Sequence, residues 1–136
     1  MATTIHPSIS KKNPYYISKH RYYELKHFCL QYPEWKKEYE EITLTPKHYI
    51  SERIQKDKGD PTSELAIRRT ELENKMRLVE QTAIKVSPNL YQYLLLGVTK
   101  GLSYDALLSL YKIPCCREYY YIRYRSYFFQ LSVSRK

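Results

Sequence analysis

The feature that most constrains this chain is an apolar repeat lying between two prolines. After Asp60-Pro61, Leu65, Leu72, Val79 and Val86 recur every seven residues, and Met76 and Ala83 fall four after Leu72 and Val79. A seven-residue period keeps one stripe on one side of an α-helix, so the spacing predicts a single long helix over 61–86, its stripe broken once by Arg69. Glu64–Arg68, Glu71–Lys75 and Glu73–Arg77 set an acid four residues before a base. That orientation supports an exposed helical face by about 0.2–0.5 kcal/mol per pair. Such a stripe must be covered, by the rest of the chain or by a second copy, so a homodimer stays open.

The rest of the chain is punctuated for helices too. Only three Gly are present, and most of the seven Pro sit between periodic stretches, which favours helices over hairpins. Residues 1–17, with Pro7 and Pro14, form a basic N-terminal arm. Ser18 is a candidate N-cap for a helix to about Gln31 with Tyr22, Leu25, Phe28 and Cys29 on one side. Pro33 suits the first position of a second helix, Glu34 to about Ile42, which carries Trp35 and Tyr39. This pair supplies the bulk to cover the 61–86 stripe, and with the polar connection 43–60 it makes up a segment 18–60. The expected fold class is all-α, with 61–86 as a long amphipathic helix and 87–136 as a tri-helical helix-turn-helix unit.

That last segment carries the functional expectation. Ser87-Pro88 is a cap and first-turn pair, Leu90, Tyr91, Leu94, Leu95 and Val98 form a stripe, and Gly101 suits a helix end. Ser103 caps a short helix to about Tyr111, with Ala106, Leu107, Leu110 and Tyr111 inward. After Lys112-Ile113-Pro114-Cys115, with Ile113 as a core plug, a last helix covers about 116–131. Helix, Gly turn, short helix, tight turn and basic aromatic helix is the layout that sets a recognition helix into a major groove. On a helical wheel Tyr120, Tyr124, Tyr127, Phe128 and Leu131 share a core-facing arc. Tyr119, Arg123, Ser126 and Gln130 lie opposite, as the expected groove-facing row. Arg117, Tyr121 and Arg125 flank the arc, within reach of phosphates or of the core edge. With Lys112 these are the expected DNA-binding residues, since Arg contacts guanine or phosphate bidentately.

The residues Gly101-Leu102-Ser103-Tyr104, Ile113-Pro114-Cys115 and 117–129, with their R-x-x-x-Y-x-x-Y-R-x-x-F-F pattern, resemble the C-terminal region of phage-encoded RinA/ArpU-type regulators. The resemblance spans about 87–132. It implies a late-gene transcription activator with a helix-turn-helix like that of sigma-factor region 4, binding double-stranded DNA and touching host RNA polymerase. One departure is Ser126, at a position often basic in such proteins.

Charge agrees with a polyanionic partner. The chain has 23 Lys and Arg against 14 Asp and Glu, and residues 101–136 hold six bases and two acids, the densest excess along the chain. A basic surface gathers polyanions through phosphate contacts and counterion release, although the same excess also serves solubility. The 16 Tyr fit base stacking or A/T-rich coding, so position matters more than number.

Other chemistries lack their residues. Cys29, Cys115 and Cys116 make no disulfide framework, and no signal peptide is apparent, which predicts a cytoplasmic, reduced protein. His6, His20, His27 and His48 have no metal-ligand spacing, and no cofactor is implied. Cys115 and Cys116 at a helix start could serve redox chemistry or merely pack and cap. There is no phosphate loop, nucleophile elbow or paired carboxylate site, so an enzyme is not expected, and no stretch is long enough to span a membrane. The expectation is a sequence-specific DNA-binding regulator of phage or prophage origin. Its rivals are a DNA-packaging adaptor like a small terminase subunit, which forms rings through helices like 61–86, and a host-protein-binding module that does not bind DNA.

Overall fold

A computed structural model describes residues 15–44 and 61–135, and among these the chain is helical throughout its regular structure. Six helices follow in order: α1 Lys19–Leu30, α2 Tyr32–Leu44, α3 Pro61–Val86, α4 Tyr91–Lys100, α5 Tyr104–Tyr111 and α6 Arg117–Ser134. The all-α expectation is correct. Most of the N-terminal arm and of the 43–60 connection lies outside the described residues.

Local signals account for most boundaries. Ser18 caps α1 by accepting the Arg21 N–H at 3.3 Å, and Ser103 caps α5 by accepting the Ala106 N–H at 3.2 Å. Gly101 closes α4 at φ 68°, in the left-handed region where a side chain would be strained. Two starts differ from expectation. The residues at Ser87-Pro88 form a turn in which the Leu90 N–H reaches the Ser87 carbonyl at 3.2 Å, so α4 begins at Tyr91. At the other end of the chain α2 begins at Tyr32, because the Gln31 carbonyl already accepts the Trp35 N–H at 3.0 Å. Pro33 sits harmlessly in that first turn, where no donor is needed.

The α3 stripe is covered by its own chain. Leu65, Leu72, Val79, Ala83 and Val86 are buried and Met76 packs against them, while α2, α4 and α6 lie along the helix. The partner sets differ from expectation, because α1 packs mainly on α4 and α6. Tyr22 accordingly meets Tyr124 and Phe128, with its hydroxyl 2.7 Å from that of Tyr124.

Tyrosine hydroxyls and one bidentate ion pair pin α2 to α3. Tyr32 donates to Glu80, Tyr39 donates to Glu73 at 2.7 Å, and Arg68 grips Glu38 through Nε at 2.6 Å and Nη2 at 2.9 Å. Later residues of α2 meet earlier residues of α3, so the two helices run antiparallel. These cross-helix bonds also redirect the charges expected to pair along α3. Arg68 leans to Glu38 and Glu71, Arg69 to Glu73, and Lys75 lies over the Trp35 ring at 5.6 Å. Arg69, the break in the stripe, is displaced onto the Tyr39 ring at 5.3 Å and stays exposed.

Candidate nucleic-acid interface

Helices α4, α5 and α6 pack pairwise against one another. The short helix α5 is clamped at both ends. At its start Tyr104 uses two groups: its N–H donates to the Tyr121 hydroxyl at 3.2 Å, and its own hydroxyl donates to the Cys115 carbonyl at 2.6 Å. At its end Lys112 takes φ 54°, the Lys112 N–H bonds the Leu108 carbonyl at 3.1 Å, and the buried Ile113 plugs the core as expected. Pro114 keeps Ile113 out of helical geometry, so the connection spans 112–116 and α6 starts at Arg117 behind Cys116. It is a little longer than the tight turn the sequence suggested.

Helix α6 serves the core and the surface at once. Tyr120, Tyr127, Phe128 and Leu131 are buried and Tyr124 packs among them, so the core-facing arc is as expected. The opposite row is not. Ser126 is buried at 7% exposure and Gln130 is half-buried. Arg123 folds back over the Tyr119 ring at 5.4 Å and reaches the carbonyl of Val86, the last residue of α3, at 3.4 Å. Its Nε is buried with no hydrogen-bond partner among the described residues. The physical reason is α3, which lies along this side. It is anchored above Ser126 by Arg123 on Val86 and just past it by Tyr127, whose hydroxyl donates to the Val79 carbonyl at 3.2 Å. A small residue fits between such anchors, whereas a basic side chain would have to bury its charge there.

Tyr121 takes the second of the two places its flanking position allowed. It is 7% exposed, with its hydroxyl accepting the Tyr104 N–H, so it closes the core edge. Of the remaining expected residues, Lys112 and Tyr119 are exposed and Arg117 and Arg125 half-exposed. Arg117 pairs with Asp105 at 3.5 Å and lies against the Tyr121 ring.

The true outward face, centred on Glu118 and Ile122, is therefore turned by about 90° around the helix from the predicted row. A shallow groove runs along it, lined by Arg117, Glu118, Tyr121, Ile122 and Arg125. Sequence reasoning missed Glu118 and Ile122. The signal was present, since both lie opposite the midpoint of the apolar arc, but the presence of Arg123 drew the row toward α3.

The short helix departs from expectation as well. Tyr104 and Leu107 point inward, but Leu110 is 67% exposed, Leu108 48% and Tyr111 41%.

Among the described residues no helix is long and apolar enough to cross a membrane, and no group of three or more His, Cys, Asp or Glu residues could hold a metal ion. Cys115 is half-buried and Cys116 exposed; burial raises the Cys115 thiol above its usual range. No family model matches the chain, and no curated protein or solved structure matches it either.

Proposed function

We propose that this protein is a duplex-DNA-binding transcriptional regulator whose recognition helix is α6. The observation that carries this reading is the outward face of α6. It holds Arg117 and Arg125 along a groove, with Lys112 exposed in the preceding connection, on the last helix of a three-helix unit. Docking in a major groove needs a scaffolded helix with one buried face and cations toward its N-terminal half, and the buried arc of α6 with Arg117 and Arg125 beside it supports the reading. The resemblance of 87–132 to RinA/ArpU-type regulators adds phage or prophage origin and host RNA polymerase as a partner. A packaging ring assembled through α3 is disfavoured, since the stripe it would use is covered within one chain.

A second reading, a module that binds a host protein and no DNA, is favoured by the exposed Leu108, Leu110 and Tyr111 on α5. Anisotropy titrations with labelled duplexes drawn from the source genome separate the two. The regulator binds with log affinity falling linearly against log salt, and Arg125→Ala flattens that slope by about one unit per lost phosphate contact. Absence of salt-dependent duplex binding by the wild type leaves the interaction module.

A further inference from the structure

Glu118 is anomalous on a surface meant for a polyanion. It is exposed, lines the same groove as Arg117 and Arg125, and has no ion-pair partner among the described residues. Asp105, the other acid of this unit, is by contrast tied to Arg117 at 3.5 Å. A carboxylate facing phosphates weakens every complex in which it finds no donor. In a major groove the donors are the exocyclic amines, and cytosine N4 is the one without an adjacent N7 acceptor to repel the carboxylate. One turn further on, Ile122 presents a β-branched apolar side chain at 38% exposure, with no role in the core. Apolar side chains in the groove contact the thymine methyl.

Resting on the DNA-binding reading above, we infer that Glu118 and Ile122 are the specificity-determining pair of α6: Glu118 selects cytosine and Ile122 a nearby thymine. Arg117, Arg125 and Lys112 supply sequence-independent attraction. Residues four apart on a helix stand about 5–6 Å apart, and successive bases along a strand are about 3.4 Å apart, so the two bases lie within about two steps of each other. The pair acts mainly by rejection. Guanine O6 or thymine O4 opposite Glu118 sets acceptor against acceptor, a mismatch that binding elsewhere must overcome.

The test is selection from a random duplex library with the full chain, as wild type, Glu118→Ala and Ile122→Ala. Both positions are exposed, and circular dichroism checks that the fold persists. The wild type should enrich a cytosine with a thymine within two steps. Glu118→Ala should lose at least about tenfold in preference for that cytosine while binding unrelated duplex no more weakly. Replacing the selected thymine by uracil removes one methyl group and should cost the wild type about fourfold and Ile122→Ala nothing. Wild-type binding with a base preference that survives Glu118→Ala overturns the inference and leaves the DNA-binding reading standing. A wild type that enriches no duplex at low salt overturns both.

Discussion

The phenol of Tyr127 joins α6 to α3 by donating to the Val79 carbonyl at 3.2 Å, and the Cys29 sulfur of α1 lies 3.5 Å from the Tyr127 hydroxyl oxygen. With the phenolic proton committed to Val79, the thiol donates to Tyr127, so three helices share one buried hydrogen-bond chain. Burial pushes the Cys29 thiol from 9.0 up to about 12 and raises the Tyr120, Tyr124 and Tyr127 hydroxyls above their usual 10.0.

These shifts fix the sign of the alkaline response. The unfolded chain releases these protons first, so above about pH 9 the folded state holds more of them and stability falls as pH rises. Below that pH these groups are protonated in both states and contribute no slope. Urea midpoints should be insensitive to these groups up to about pH 9 and then decline, with a gentler onset in Cys29→Ala measured against its own neutral value. A wild-type midpoint unchanged to pH 11 would show that the chain of donors is open to solvent.

Arg123 and Arg125 should separate cleanly. Arg123 completes the C-terminal end of α3 at Val86 and covers Tyr119, where a cation also suits the helix dipole. Arg123→Ala should cost about 1–2 kcal/mol in urea unfolding. Arg125→Ala should stay within about 0.5 kcal/mol of wild type. Equal stability losses for the two would place Arg123 on the outward face after all.

Gly97 and Tyr120 form a tight contact between α4 and α6. A Cβ built on Gly97 would stand 2.0 Å from the Tyr120 hydroxyl oxygen, which is buried without a hydrogen-bond partner among the described residues. Gly97→Ala should therefore destabilise by about 1–3 kcal/mol despite the better helix propensity of Ala. Tyr120→Phe should be close to neutral alone and should recover much of that loss in the double variant. Thermal unfolding of the four proteins checks it, and strictly additive effects would exclude the contact.

On the proposed duplex-binding reading, Lys112 should couple stability to binding with opposite signs. It is a non-glycine residue at φ 54°, a conformation that Gly adopts without strain. Lys112→Gly should stabilise the fold by up to about 1 kcal/mol and, by removing a cation beside α6, weaken duplex binding at low salt. A destabilised variant would mean that the lysine stem packs against the connection.

The boundaries read best from sequence were those with local causes. Ser18, Ser103 and Gly101 each act through backbone groups a few residues away, and the α3 stripe declares its period whatever covers it. The start of α4 and the outward face of α6 were decided by other helices. Ser87 resembles a cap but belongs to a turn. Tyr119, Arg123, Ser126 and Gln130 form a row on an isolated helix, yet in the fold Ser126 is buried and Arg123 turns back onto the end of α3. A wheel drawn for one helix gives the core direction from its aromatics, but it cannot show a second neighbour. The tyrosines follow the same logic: Tyr22, Tyr104, Tyr121 and Tyr127 are mostly internal ties between helices, not a stacking surface for bases.

Because Ser126 is buried between Arg123 and Tyr127, both of which are tied to α3, this side of α6 leaves little room for larger side chains. Under the proposed duplex-binding reading, substitutions at positions 118 and 122 would change the target, while changes at 123, 126 and 127 would need matching changes on α3. Under that reading the target could change without loosening the scaffold. The protein could not, however, gain affinity by the simple route of adding a basic residue at position 126.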